Sequence, residues 1–378
     1  MIINLLLLFS CVAYFFVIYL LEDGFNRILS VEEKKHLNST SFSVIIPFRN
    51  EEERLPQLIE SITQIDYEAS LTEFIFVDDD STDNSVNILQ NFIQEYCIEN
   101  YVSIIKNERK TASPKKDAIN TAINIAKHNW IITTDADCIL PKKWFSLYND
   151  YITLFNSKMV IGLVSYKTKN KFLEQFQLLD FLSLQKATIG SYGMNKTFLC
   201  NGANLAFRKD TFHDVGGFEG NDHIASGDDI FLMEKFKKKY QKDIGLLKHD
   251  QAIVYTFPKY SIKELINQRI RWASKTSKTN NSFAQFVGLA VLAWNLILIS
   301  LPVLFIIDFL NIEMLIVFLI FKVTTDYIHL NKIIHFYNHQ IKPVDLLLST
   351  ICYPFFVVWI VINSLFGTYY WKGRRFKK

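Results

Sequence analysis

Two apolar regions near the ends of the chain, with a polar stretch between them, limit what it can fold into more than any other feature. Residues Ile2 to Leu21 form an apolar run without a single charge, and residues 283–367 are strongly apolar again. About 20 apolar residues span a bilayer as a helix. No basic residue precedes the first run, and the run exceeds an ordinary signal-peptide core, so residues 1–21 are expected to be a retained transmembrane helix. In the second region, Phe283–Ile307 reads as one span and Val344–Gly367 as another, despite Pro354. Asn311–Leu330 is marginal. Lys322 and Asp326 cost about 3 kcal/mol each, against roughly a dozen apolar residues at about −0.5 kcal/mol each. Pairing of the two charges at i,i+4 would ease insertion. The expectation is therefore two or three C-terminal spans. Four spans in all would put both termini outside a cytoplasmic middle domain. Yet Lys372, Arg374, Arg375, Lys377 and Lys378 form a basic tail, and positive charge favours the cytoplasm. One C-terminal segment is therefore expected to lie in the interface or re-enter.

The chain of 378 residues has 32 Phe and 15% aromatics, rich for a soluble enzyme, and a net charge of +3, too small to imply a nucleic acid or other polyanion partner. Lys and Arg clusters flank the apolar segments and suit membrane lipids. Five cysteines without a CxxC pair suggest free thiols in a reducing compartment and no zinc site. The oligomeric state is not legible.

After a linker over residues 22–40, the stretch 41–258 alternates strand and helix. Strands are predicted at Phe42–Pro47, Glu73–Val77, Tyr101–Lys106 and Trp130–Thr134, with helices at Glu51–Gln64, Asp83–Tyr96 and Pro114–Asn129. Such alternation implies an α/β domain built on a parallel sheet with helices on both faces. Ligands of such sheets sit beyond the carboxyl ends of the strands. Polar clusters stand there: Pro47-Phe48-Arg49-Asn50-Glu51 after the first strand, Asp78-Asp79-Asp80-Ser81-Thr82-Asp83 after the second, Asp135-Ala136-Asp137 after the fourth. Neither GxGxxG nor a P-loop is present.

Asp135 and Asp137 are one residue apart at a strand end, so both carboxylates can face one point. That suits a hard divalent cation, Mg²⁺ or Mn²⁺, holding a diphosphate. Asp78 and Asp79 could accept hydrogen bonds from a base or ribose, whereas Asp83 serves as well as a helix N-cap. Asp228 and Asp229 precede an apolar helical stretch. They suit either a helix N-terminus or a general base taking a proton from an attacking hydroxyl. Residues 259–282 form a basic amphipathic segment carrying Gln268-Arg269-Ile270-Arg271-Trp272. It reads as an interfacial helix in which Arg271 can also bind diphosphate and Trp272 can stack on a sugar.

Taken in order, these residues resemble the family 2 glycosyltransferases, inverting enzymes of the GT-A fold that include cellulose, chitin and hyaluronan synthases. The resemblance covers about Ser41 to Trp272. Val77-Asp78-Asp79-Asp80-Ser81-Thr82-Asp83 matches the nucleotide-binding VDDxSTD segment, which implies that Asp79 contacts the base. Lys115 resembles the lysine of GKAxALN, with Pro114 in place of Gly. Asp135-Ala136-Asp137 matches the metal-binding DxD, with Asp137 the direct ligand. Asn201, Gly202 and Asn204, followed by Gly216-Gly217-Phe218, resemble the lining of the donor-sugar and acceptor site. Gly227-Asp228-Asp229 stands where the family has Thr-Glu-Asp, which makes Asp229 the expected base, with Asp228 shorter than the usual Glu. Gln268, Arg271 and Trp272 match QxxRW.

The resemblance implies transfer of a sugar from a nucleotide-sugar donor, UDP by family precedent, to a lipid-linked or glycan acceptor at the cytoplasmic face of the inner membrane. Pro47, Asn50, Glu51, Asp78, Asp79, Lys115, Asp135, Asn201, Gly202, Asn204, Gln268, Arg271 and Trp272 are the expected donor-site residues. Alternatives are a processive polysaccharide synthase and a catalytically silent membrane module of the same fold.

Overall fold

The structure is a computed structural model and describes residues 2–30, 39–221, 224, 226–276, 281–366, 369–372 and 374–376. In chain order the elements are α1 (Ile2–Arg27), β1 (Phe42–Phe48), α2 (Leu55–Thr63), β2 (Thr72–Asp78), α3 (Ser85–Tyr96), β3 (Val102–Lys106), α4 (Pro114–Ile125), β4 (Trp130–Thr133), α5 (Trp144–Phe155), β5 (Met159–Ile161), β6 (Val164–Tyr166) and α6 (Phe172–Gly193). They continue with β7 (Leu205–Arg208), α7 (Lys209–Asp214), α8 (Asp228–Tyr240), β8 (Ile244–Leu246), β9 (Val254–Thr256), α9 (Ile262–Thr276), α10 (Ser282–Ile306), α11 (Ile312–Phe336), α12 (Pro343–Phe366), β10 (Tyr369–Trp371) and β11 (Arg374–Phe376).

Seven strands form one sheet in the order β3-β2-β1-β4-β7-β5-β8. Strands β1 to β4 run parallel, as their alternation with helices requires, but β7 is antiparallel to both β4 and β5. The sheet is therefore mixed, where the strand–helix alternation suggested a parallel one. The β1, β2 and β4 side chains are buried on both faces, which explains their continuous apolar runs. Alternate residues feed two cores. Val44, Ile46, Phe74, Phe76 and Ile132 pack with α2, α3, α5 and α6 on one face. Ile45, Ile75, Val77 and Ile131 pack with α4, α7 and α8 on the other. This layering brings the carboxyl ends of β1, β2 and β4 to one edge.

Helices α2 and α3 start later than the sequence suggested, whereas α4 starts at Pro114 as expected. Asp83 is not the N-cap of α3, a position held by Asn84. Instead the Asp83 carboxylate accepts from the backbone N–H of Ser85 (3.1 Å) and of Glu52 (3.1 Å), tying the loops after β1 and β2 together.

Helix α1 runs six residues past the expected end at Leu21 and packs along α6. The crossing depends on glycine: a Cβ on Gly24 would stand 2.0 Å from the Gly190 carbonyl oxygen, and one on Gly193 2.0 Å from that of Gly24. Close helix contact of this kind relies on backbone approach rather than large side chains. Glu22 pairs with buried Lys186 and, at 2.7 Å, with Lys332 of α11.

Among the described residues, three helices are long and apolar enough to cross a membrane: Leu7–Arg27, Ser282–Ile306 and Pro343–Leu365. Leu8, Phe9, Val303, Ile306, Phe355 and Trp359 are among their exposed side chains. Helix α10 starts at the α/β domain, where Asn281 donates to the Thr197 carbonyl, and α11 ends there, with the Tyr337 hydroxyl on Gln185. Together they leave the domain and return. The awkward charges of α11 are paired as the spacing suggested: Lys322 Nζ lies 2.8 Å from Asp326, which also accepts from the Tyr14 hydroxyl of α1 at 3.0 Å. Helix α12, about 36 Å long by its rise, has neighbours from the α/β domain at both flanks. His339 meets Ser165 before it, and Lys372 and Arg374 reach the loops after β1 and β2 behind it. Lys372 and Arg374 of the basic tail therefore lie on the same side as the α/β domain, while Lys377 and Lys378 are outside the described residues.

Candidate active site

A cavity of about 910 Å³ opens at the carboxyl edge of the sheet. It collects the loops after β1, β2 and β4, the start of α4, the 200–203 turn, the start of α8, the polar face of α9, and one face each of α6 and α12.

Lys115, at the start of α4, ties two acidic groups together. Its Nζ lies 2.6 Å from Asp135 Oδ1 and 3.4 Å from Asp228 Oδ2. Burial works against its charge, but these carboxylates overcome it and raise its pKa. For Asp228 the balance also favours the charged form. Burial pushes its pKa up, yet Lys115, Lys275 and Lys116 together hold the carboxyl below its ordinary range. Asp229 opens α8 beside it. Its Oδ2 accepts from the Gly202 N–H at 3.2 Å, its Oδ1 from the Ile230 N–H at 2.8 Å, and Lys275 lies 3.5 Å away. Gly202 is small for a reason: a Cβ there would stand 3.0 Å from Asp228 Oδ2 and 3.5 Å from Lys115 Nζ.

Asp137 is the opposite case. Burial first, and the like charge of Asp135 second, raise its pKa, against weaker opposing effects from Lys259, Lys115 and the Thr256 hydroxyl. A divalent cation would relieve both stresses, and two carboxylates at a strand end are a donor set for a hard cation. Among the described residues no group of three or more His, Cys, Asp or Glu is arranged to hold an ion alone. A cation here would complete its coordination with ligand oxygens or water.

At the other end of the cavity, Asp79 is heavily bonded. Its Oδ1 accepts from Asn107 Nδ2 (2.8 Å) and pairs with Arg109 Nε (3.1 Å), and its Oδ2 accepts from Arg374 Nη1 (2.6 Å). Arg49 donates to its carbonyl. On α9, Arg269 Nε pairs with Asp180 at 2.6 Å, donates from Nη1 to Gln268 at 2.5 Å, and lies 4.2 Å over the Trp272 ring. Gln268, Arg271 and Trp272 all line the cavity.

Of the residues anticipated from sequence, Pro47, Asn50, Glu51, Asp79, Lys115, Asp135, Asp137, Asn201, Gly202, Asp228, Asp229, Gln268, Arg271 and Trp272 meet in this one cavity. Two do not. Asp78 faces away from it, its Oδ1 accepting from the Ser81 N–H at 2.9 Å in a local turn. Asn204 is fully buried below the floor. It donates to the Leu163 and Ala252 carbonyls and accepts from Trp144 Nε1 and the Tyr148 hydroxyl, so no polar atom remains for a ligand. Asn204→Ala should strand these buried partners and destabilise the fold by about 3 kcal/mol. Thermal unfolding in detergent checks it. An unchanged melting temperature with weakened donor binding would return Asn204 to the site. The sequence reading overlooked Asn107 and Arg109, which follow β3 and were open to the same strand-end rule. It also overlooked Lys275, Lys372 and Arg374, for which no local pattern exists.

Residues 43–216 match the model of glycosyl transferase family 2, and residues 130–366 that of glycosyl transferase family group 2. The chain belongs to the family 2 glycosyltransferases. Among curated members of the wider family, it is 28% identical over 189 residues to glycosyltransferase AglE of Haloferax volcanii, covering 50% of this chain and 58% of that protein. It is 39% identical over 103 residues to an undecaprenyl-phosphate 4-deoxy-4-formamido-L-arabinose transferase of Proteus mirabilis, covering 26% of this chain and 29% of that one. The chain thus spans from under a third to somewhat over half of the length of these relatives. The mannosyltransferase PcManGT of Pyrobaculum calidifontis, solved with GDP-Man and Mn²⁺, superposes with a TM-score of 0.60 over 96% of this chain and 98% of that one at 14% identity. That likeness is one of fold, and the fold is GT-A.

Proposed function

We propose that the protein is a membrane-bound, metal-dependent inverting glycosyltransferase that moves a sugar from a nucleoside-diphosphate sugar to a lipid-linked or polysaccharide acceptor. The observation that carries this reading is the convergence, in one cavity, of the Asp135/Asp137 pair, Lys115, the Asp228/Asp229 pair and the QxxRW helix. The nucleotide would lie along the loops after β1 and β2. Asp137 and Asp135 would hold Mg²⁺ or Mn²⁺, which when bound neutralises charge on the departing diphosphate. Lys115 and Arg271 would bind the same diphosphate and steady it as it leaves. Asp229, at the α8 N-terminus, would take the proton of the acceptor hydroxyl as its oxygen attacks the anomeric carbon. The bond to the diphosphate oxygen breaks on the opposite face, and the anomeric configuration inverts.

The far wall of the cavity is apolar, with Phe181 and Leu184 of α6 and Phe356, Val357, Ile360 and Val361 of α12. These helices adjoin the apolar exterior, which supports an acceptor delivered from the membrane. Lys372 and Arg374 share a side with the catalytic domain, and positive charge favours the cytoplasm, so we assign the active site to the cytoplasmic face.

The test is a donor panel in detergent: UDP- and GDP-sugars with Mn²⁺ or Mg²⁺, and membrane lipid extract as acceptor. The expected result is metal-dependent release of one nucleoside diphosphate with a glycosylated, organic-extractable product. Folded protein that binds no nucleotide with either metal would overturn the assignment.

A further inference from the structure

The last described residues of the chain come back to the donor end of the cavity. Strands β10 and β11 form an antiparallel hairpin in which Trp371 pairs with Arg374, and Lys372 sits in the turn with φ +49°. Lys372 Nζ donates to the Arg49 carbonyl at 3.2 Å and pairs with Glu51, and Arg374 Nη1 donates to Asp79 Oδ2 at 2.6 Å. Both partners lie in the loops after β1 and β2, about 300 residues earlier.

The cavity lining explains why cations are wanted there. Among the described residues, eleven Asp or Glu and nine Lys or Arg line it, and Lys372 and Arg374 are two of the nine. Without them the carboxylate excess would double, and a dianionic ligand would enter against it. Arg374 presents five N–H donors in a planar fork suited to phosphate oxygens, and Asp79 engages only part of that fork. Lys372 adds a flexible point charge.

We propose that the β10–β11 hairpin is the closing element of the donor site, and that Lys372 and Arg374 bind the diphosphate of the nucleotide sugar. This rests on the donor-site reading above. Arg374 is paired with Asp79, and Lys372 with Glu51. Donor binding turns both cations towards the diphosphate and leaves Asp79 accessible to the base.

The experiment compares the full-length wild type with Lys372→Gln, Arg374→Gln and the double variant. Binding of UDP and GDP is measured by calorimetry in detergent with Mn²⁺, beside UMP and GMP. The expected result is about a tenfold loss of nucleoside-diphosphate affinity for each single change, larger in the double variant. The loss is expected to be smaller for the monophosphates and to be partly recovered in Arg374→Lys. Melting temperatures report whether the variants are folded. Unchanged diphosphate affinity in folded variants would overturn the proposal and leave the hairpin a structural tie. Tighter binding would overturn it as well, because the hairpin would then compete with the donor. A wild type that binds neither diphosphate would instead fail the donor-site reading itself, and with it this assignment.

Discussion

Asp229→Asn is expected to lower kcat by about 10²- to 10⁴-fold while leaving donor affinity within about twofold of the wild type. The amide keeps the size of the carboxylate and can still accept from the Gly202 N–H, so the turn before α8 should hold. What it loses is the lone pair basic enough to take the acceptor proton. Lys275, 3.5 Å from Asp229, stays beside the amide. The decisive comparison is single-turnover transfer against calorimetric donor binding. Near-wild-type turnover would remove Asp229 from the reaction. A parallel collapse of donor binding would make it a binding residue rather than a base.

The second large effect is expected at Asp137. Asp137→Ala should reduce transfer by about a thousandfold, the equivalent of several kcal/mol of lost charge stabilisation. It should also flatten the dependence of nucleotide affinity on Mn²⁺. A readout independent of turnover comes from stability. Burial and the neighbouring Asp135 raise the Asp137 pKa, so the native state holds this proton more tightly than the unfolded chain does. Without metal, stability should therefore fall as pH rises from the ordinary carboxylate range through the raised native value. Asp137→Asn should remove that slope. Mn²⁺ should raise the melting temperature of the wild type but not of the variant, because only a ligand of the native state stabilises it. Equal Mn²⁺ stabilisation of both proteins would place the ion elsewhere.

The central strands and their flanking helices were legible because each is a local pattern. Phe42–Phe48 and Thr72–Asp78 are apolar at every buried position except Ser43, Thr72 and Glu73, and the helix between them carries apolar residues on one face. The acidic clusters were legible for the same reason, since a strand end fixes where the next residues point. Asp135 and Asp137 share a cavity with Asp79 because β1, β2 and β4 are parallel neighbours. The Lys322–Asp326 pair was likewise readable from i,i+4 spacing alone.

Other features had no local signature. The strand-end rule could not separate Asp79, in the cavity, from Asp78, which closes its own turn one residue earlier. Nor could a motif show that Asn204 lies under the floor, because burial depends on Trp144, Tyr148, Leu163 and Ala252 arriving from other elements. Hydropathy found α12 but could not tell a span from a helix with catalytic-domain neighbours at both flanks, since composition carries no direction.

The sequence by itself determined the α/β order, the apolar segments and the carboxylates at the strand and helix ends that line the cavity, each encoded within a few residues. Only the tertiary structure decided that the antiparallel β7 joins the sheet, and that Lys275, Lys372 and Arg374 reach the same cavity as Asp79 and Asp229. Those placements arise from packing between segments up to 300 residues apart, and sequence spacing records no such distance.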